Sequence, residues 1–167
     1  MPNQIAFYPQ SSGGGAGSMT LIQAQTATGT PAAITFSGIP QTFSHLKLIW
    51  AGSSVSNAGT FAAVQFNGLT SGYVAQAISC ATGASTSTPG GFSQTSIIVG
   101  GSEGEATFPG YSQTIGSCHG TGYVDGANFV TGGGYSGTVG AVTSISLIWF
   151  NGTDWAAGGT FSLYGIQ

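Results

Sequence analysis

The stretches 45-HLKLIWAG-52 and 143-TSISLIWFNG-152 decide how this chain folds. In each, large apolar residues recur at every second position: Leu46, Leu48 and Trp50 in the first, Ile145, Leu147 and Trp149 in the second. Successive side chains of a strand point to opposite faces, so each set forms one inward stripe. The pattern predicts two central strands on facing or neighbouring sheets. His45, Lys47 and Ile49 then point outward, and Lys47 is the one lysine or arginine of the whole chain. The outward Ile49 and Ile148 offer a candidate apolar interface with a partner chain. The alternative is that they are isolated exposed side chains of the kind every protein surface carries.

Working outward, the same period recurs between turn signals. The segment 19-MTLIQAQ-25 reads as a first strand, with a Gly-Thr-Pro turn at 29–31 and then 32-AAITFSGIP-40. The strand 60-TFAAVQFNG-68 closes on Asn67-Gly68, a hairpin signal, with 73-YVAQAIS-79 as the returning strand. Residues 81–91 read as a loop, 92-FSQTSIIVGG-101 as a strand, and 106–124 as two short strands broken near Pro109-Gly110. A second loop at 131-TGGGYSGTVG-140 precedes the 143–152 strand, and 159-GTFSLYGI-166 closes the chain. No stretch carries a helical stripe. Some 8–10 short strands with these turns predict an all-β chain, an antiparallel β-sandwich of jelly-roll type. Residues 19–167 form its single domain. Residues 1–18 read as an N-terminal arm, in which 4-QIAFYP-9 is apolar and 11-SSGGGAG-17 is a Gly/Ser linker.

Composition narrows the function. Of 167 residues, 3% are charged, where about 25% is usual for globular proteins. Glu103, Glu105, Asp125 and Asp154 against Lys47 give a net charge of −3. One lysine cannot replace the counterions on a nucleic acid or hold an acidic membrane surface, so neither is an expected partner. No apolar run approaches the roughly 18 residues of a spanning helix. The N-terminal stretch lacks the basic and apolar regions of a secretory signal, which predicts assembly in a cytoplasm. So few charges oppose self-association weakly and suit a component packed densely in an assembly.

The inventory for chemistry is thin. Glu103 and Glu105 lie in 101-GSEGEA-106, which reads as an exposed turn rather than the paired carboxylates of a glycosidase. The literal Gly-x-Ser-x-Gly match at 100-GGSEG-104 lacks the strand–turn–helix setting of a nucleophile elbow. Cys80, Cys118, His45 and His119 show no metal-ligand spacing, and Asp125 with Asn128 suits a turn better than a calcium loop. The expectation is therefore no catalytic residue, no metal and no cofactor. Two binding routes remain. Ile5, Phe7, Tyr8 and Pro9 of the arm are candidates for docking on a neighbour, or else fold back on their own sandwich. Tyr73, Tyr111, Tyr123, Tyr135 and Trp155 lie in or beside Gly-rich loops, as glycan-contacting aromatics do; alternatively they cover the sandwich ends.

The stretches 32-AAITFSGIPQTFSHLKLIWAGSS-54, 66-FNG-68, 95-TSIIVGG-101, 142-VTSISLIWFNG-152 and 158-GGTFSLYGI-166 carry a family resemblance. Over roughly residues 19–167 the chain resembles small β-sandwich structural proteins of tailed-bacteriophage virions. The resemblance implies a non-enzymatic component of the particle, most concretely a capsid decoration (cement) protein on the head surface. Its implied partners are the major capsid protein and copies of itself, with a trimer expected by analogy. The alternative it implies is a tail-fibre or receptor-binding part that contacts host surface glycans.

Overall fold

The computed structural model describes residues 17–52, 54–55, 61–81, 84–88, 96–100, 102–112, 118–124, 127–135, 140–150 and 152–167. Twelve strands are among them: β1 (Met19–Thr26), β2 (Ala33–Ser37), β3 (His45–Ala51), β4 (Ala62–Phe66), β5 (Tyr73–Ala81), β6 (Ala84–Thr88), β7 (Ile97–Gly100), β8 (Glu103–Pro109), β9 (Cys118–Val124), β10 (Ala127–Tyr135), β11 (Ser144–Trp149) and β12 (Thr160–Ile166). They build two antiparallel sheets. The large sheet runs β1-β12-β3-β8-β9-β10-β5-β6, and the small one β2-β11-β4-β7. The chain is an all-β sandwich.

The two decisive stripes lie on facing sheets. Leu46, Leu48 and Trp50 of β3 point inward from the large sheet, and Ile145, Leu147 and Trp149 of β11 from the small one. All six are buried, as are Phe36 of β2, Phe66 of β4, Phe108 of β8, and Phe161 and Leu163 of β12. Each such side chain contributes about 1.5–3 kcal/mol on leaving water, and dense inward alternation is what draws the sheets together. Phe66 meets Phe108 edge-on across the core, with ring centroids 5.4 Å apart.

Connectivity explains the unequal sheets. From β1 to β4 the chain changes sheet at every connection, and it does so again from β7 to β8 and from β11 to β12. Two insertions interrupt this alternation. The pairs β5–β6 and β9–β10 are each antiparallel neighbours in the large sheet, and β10 also pairs with β5, so together they extend that sheet beyond β8. Strand β7 at the edge of the small sheet packs across β9 and β10.

Several local expectations are corrected. Asn67-Gly68 forms a tight turn, with φ of 51° and 71° and Leu69 N donating to Phe66 O at 2.9 Å. It does not make a hairpin, because β4 and β5 belong to different sheets. The Asn67 side chain is committed elsewhere: its Oδ1 accepts from Thr143 N at 2.8 Å and Ser144 N at 3.1 Å, and its Nδ2 donates to Ala141 O at 3.0 Å. The turn thus staples the end of β4 to the entry of β11. Residues 84–88 and 131–135, read as loop, are strand in β6 and β10. The glycines of β10 are held by ladder bonds to β9 on one side and β5 on the other, which outweighs their poor strand propensity. Glu103 and Glu105, read as an exposed turn, open β8. Cys80 on β5 and Cys118 on β9 are separated by β10, where they align with Asn128 and Gly133. That offset places them roughly 19 Å apart, far beyond disulfide reach.

Candidate interaction surface

The motif residues that carry the resemblance turn out to lock one end of the sandwich. Ile39 is buried and its amide donates to Thr143 O at 3.1 Å. Gln41 Nε2 donates to Ile39 O at 2.8 Å and Val142 O at 2.9 Å, tying the β2–β3 loop to the approach to β11. Tyr111 OH donates to Pro40 O and accepts from Phe43 N at 3.4 Å. The Phe43 ring rests on Gly165 of β12, where a Cβ would meet its Cδ1 at 2.6 Å and its Cγ and Cδ2 closer still. Glycine at this inward position of β12 is the notch that admits the ring.

Of the two readings of the loop aromatics, glycan contacts or cover for the sandwich ends, the burial of three of them excludes the first. Tyr73, Tyr111 and Trp155 are at most 1% exposed and belong to the core. Tyr73 OH accepts from Phe66 N at 2.8 Å and donates to Leu69 O at 3.1 Å, fastening the Asn67-Gly68 turn. Burial pushes the Tyr111 phenol above its ordinary pKa, an effect partly offset by the Phe43 amide. Trp155 Nε1 donates to Leu147 O at 3.1 Å, and its ring lies 4.4 Å from Trp149 and 4.8 Å from Phe161, centroid to centroid. Gly52 and Gly159 make room for this cluster: a Cβ on Gly159 would sit 3.0 Å from Gly52 Cα and 3.1 Å from the Phe161 ring. Their glycine-rich neighbours place these aromatics in or beside loops on the sequence alone; the hydroxyl partners of Tyr111 are far away in the chain, whereas those of Tyr73 and Trp155 lie within eight residues. Tyr123 and Tyr135 lie on β9 and β10, and their side chains fall outside the described residues.

Ile49 and Ile148 occupy opposite outer faces of the sandwich and cannot form one interface. Ile148 is half-buried, flanked in register by Ala33 and Ala63. Ile49 is 37% exposed and belongs to a larger feature. On the outer face of the large sheet, Met19 pairs with Ile166, Leu21 with Tyr164, and Tyr164 with Lys47, while Ile49 sits on the diagonal from Tyr164. Met19, Leu21 and Ile49 are the exposed members, Leu21 most of all at 53%. Lys47 Nζ lies 2.7 Å from Glu105 Oε2 on the neighbouring strand. The single cation is thus neutralised at the border of an apolar stripe. At this exposure the pair contributes about 0.2–1 kcal/mol, and Glu103, two residues before Glu105 on the same outward face of β8, leaves that border of the stripe with a negative charge. Leu21, Tyr164 and Ile166 escaped the sequence reading, because their common face follows from the register of β1 on β12 and of β12 on β3.

Sheet edges are potential docking templates, and one is sealed. A bulge between Leu21 and Gln23 of β1 turns the glutamines toward the small sheet. There Gln23 Nε2 donates to Ser37 O at 2.9 Å and Gln25 Nε2 to Thr35 O at 2.7 Å, capping carbonyls of edge strand β2. Contacts at this edge by strand addition are blocked, which leaves the apolar face as the better-formed surface. The arm candidates Ile5, Phe7, Tyr8 and Pro9 lie outside the described residues.

Among the described residues no group of three or more His, Cys, Asp or Glu side chains could hold a metal ion, and no helix is long and apolar enough to cross a membrane. Glu105 is engaged by Lys47, Glu103 lies exposed two residues before it on β8, and Asp154 sits apart beside Trp155. No family model matches the chain, and neither a curated protein nor a solved structure matches it.

Proposed function

We propose that the chain is a non-enzymatic virion structural protein, most concretely a capsid decoration protein that binds the outer surface of the head. It bridges neighbouring major capsid subunits there and associates with copies of itself. The observation that carries this reading is the outer face of the large sheet, where Met19, Leu21 and Ile49 stand exposed and the only cation is cancelled by Glu105. Such a face suits a protein partner and offers little to phosphate or to an acidic lipid surface. The sequence resemblance supports the same reading. So does the strand order: outside the β5–β6 and β9–β10 insertions the chain changes sheet at every step except β4 to β7, which pair in the small sheet, and we read these eight strands, β1-β12-β3-β8 facing β2-β11-β4-β7, as a jelly roll.

Contact would be multivalent, each copy contributing a modest patch and many copies acting together. The arm residues Ile5, Phe7, Tyr8 and Pro9 supply a second contact, reaching onto a neighbouring subunit. The tail-fibre reading loses Tyr73, Tyr111 and Trp155 as glycan contacts, since all three are core side chains. Cosedimentation of the purified chain with decoration-free capsids tests the proposal. Saturable binding that weakens on removal of residues 1–18 is expected, and no binding by either form would overturn it.

A further inference from the structure

The outer face of the large sheet is apolar on one side and acidic on the other, and strand register sets the order. Met19 and Leu21 of β1 lie opposite Ile166 and Tyr164 of β12, which in turn lie opposite His45 and Lys47 of β3. Farther along, Ile49 of β3 lies opposite Glu105 of β8, and Ala51 opposite Glu103. These four strands span about 15 Å across and about 20 Å along their length, between outermost Cα atoms. Lys47 Nζ is held 2.7 Å from Glu105 Oε2, whereas Glu103 is exposed and has no ion pair among the described residues. Leu21, at 53% exposure, and Ile49, at 37%, therefore share their face with a carboxylate that no cation answers.

We infer that this face docks a protein surface presenting apolar side chains beside an arginine or lysine, with that cation meeting Glu103. The inference deepens the decoration role by naming the chemistry of the partner patch, and it rests on that reading only for where the patch is found. Charge selects the occupant. A neutral apolar surface would strip water from Glu103 and return nothing, a cost that a facing cation offsets. A second copy cannot supply the cation, because the chain's one lysine is already engaged by Glu105 and it has no arginine. Stacked face to face, two copies would set carboxylates against carboxylates or against apolar side chains. Nucleic acid and acidic lipid are repelled by the same carboxylate. At about 300 Å² between those Cα positions, the face falls short of the roughly 800 Å² per partner of a stable pair. A single contact is therefore weak, and the ion pair discriminates among partners.

Titration of the full chain, labelled with nitrogen-15, tests this with short peptides of leucine and serine that differ only in carrying two arginines, two glutamines or two glutamates. Amide shifts in nuclear magnetic resonance spectra locate the site and give the affinity. The arginine peptide should shift amides of β1, β12, β3 and β8, bind about twofold to fivefold more tightly than the glutamine peptide, and weaken as salt rises. Glu103→Gln should remove most of that preference. Asp154→Asn changes the net charge equally, lies off this face beside Trp155, and should retain it. Equal affinity for the arginine and glutamine peptides, no binding of any peptide, shifts on another surface, or equal losses in the two variants would overturn the inference. Shifts on the same amides that grow with protein concentration alone would also overturn it, assigning the face to a second copy. Failure to bind capsids with the arginine preference intact would sink the decoration reading and leave this inference standing.

Discussion

Gly165→Ala should destabilise the sandwich, and the size of the loss follows from one contact. A Cβ at Gly165 would meet Phe43 Cδ1 at 2.6 Å, with Cγ and Cδ2 closer, so the ring must move as a body. Overpacking of this kind costs about 1–3 kcal/mol. Swinging Phe43 into water instead forfeits about 1.5–3 kcal/mol of burial. The cheaper route sets the cost at about 1–3 kcal/mol. Against it stands the backbone gain of replacing a strand glycine by alanine, about 0.5–1 kcal/mol. The net loss is therefore at most about 2.5 kcal/mol. For a domain of this length the unfolding entropy is about 0.35 kcal/mol/K, so the melting temperature should fall by up to about 7 °C. Phe43→Ala isolates the cause: in that background Gly165→Ala should be neutral or stabilising, giving a coupling of about 1 kcal/mol or more in a double-mutant cycle. Thermal melts followed by circular dichroism supply all four corners. A Gly165→Ala protein that melts above the parent, or an additive cycle, would refute the notch.

Four further outcomes follow from the same structure. Tyr111→Phe strands the Pro40 carbonyl and should cost about 1–3 kcal/mol in urea unfolding. Because burial raises the Tyr111 pKa above 10.0, its contribution is fully present below pH 10.0 and is lost as pH rises toward the folded value; the alkaline fall in stability should therefore be shallower in the Phe variant. Asn67→Gly keeps the positive φ and removes the staple to 141–144, so it should lower stability by about 2 kcal/mol, where a simple turn would tolerate it. Replacing Gln23 and Gln25 together by Ala uncaps strand β2, and light scattering should report faster aggregation at equal melting temperature or a small loss. Lys47→Met should change stability by less than about 1 kcal/mol, with no greater effect at low salt than an exposed pair allows.

The sandwich was legible because its central strands obey a period of two without interruption. Leu46, Leu48, Trp50, Ile145, Leu147 and Trp149 announce inward faces, and all six are buried. What stayed hidden depends on partners far away in the chain. Nothing near Gly165 indicates that Phe43 will occupy its missing side chain, and nothing near Tyr111 names the Pro40 carbonyl. Glycine was a poor guide. In 131–135 it suggested a loop, yet β5 and β9 supply ladder bonds on both edges of β10. Around Tyr73 and Trp155 it left exposed tips and cover for the sandwich ends equally open, and near Trp155 the small residues are what let the rings pack, as Gly52 and Gly159 do beside Trp155 and Phe161. Asn67-Gly68 produced its expected turn, but the change of sheet after β4 is a property of the whole topology. The surface was legible in part. Ile49 was read as outward and exposed, whereas the bulge at Leu21/Gln23 and the pairing of Leu21 with Tyr164 appear only once β1 is registered on β12.

The proposal that this chain decorates a capsid is tested most directly by electron cryomicroscopy of decoration-free heads incubated with the purified protein. The account predicts sandwich-shaped density at fixed sites outside the shell, with Met19, Leu21 and Ile49 of the large sheet turned toward a protein neighbour and the arm carried onto an adjacent subunit. Bare heads at saturating protein, or density attached only to the tail, would contradict it.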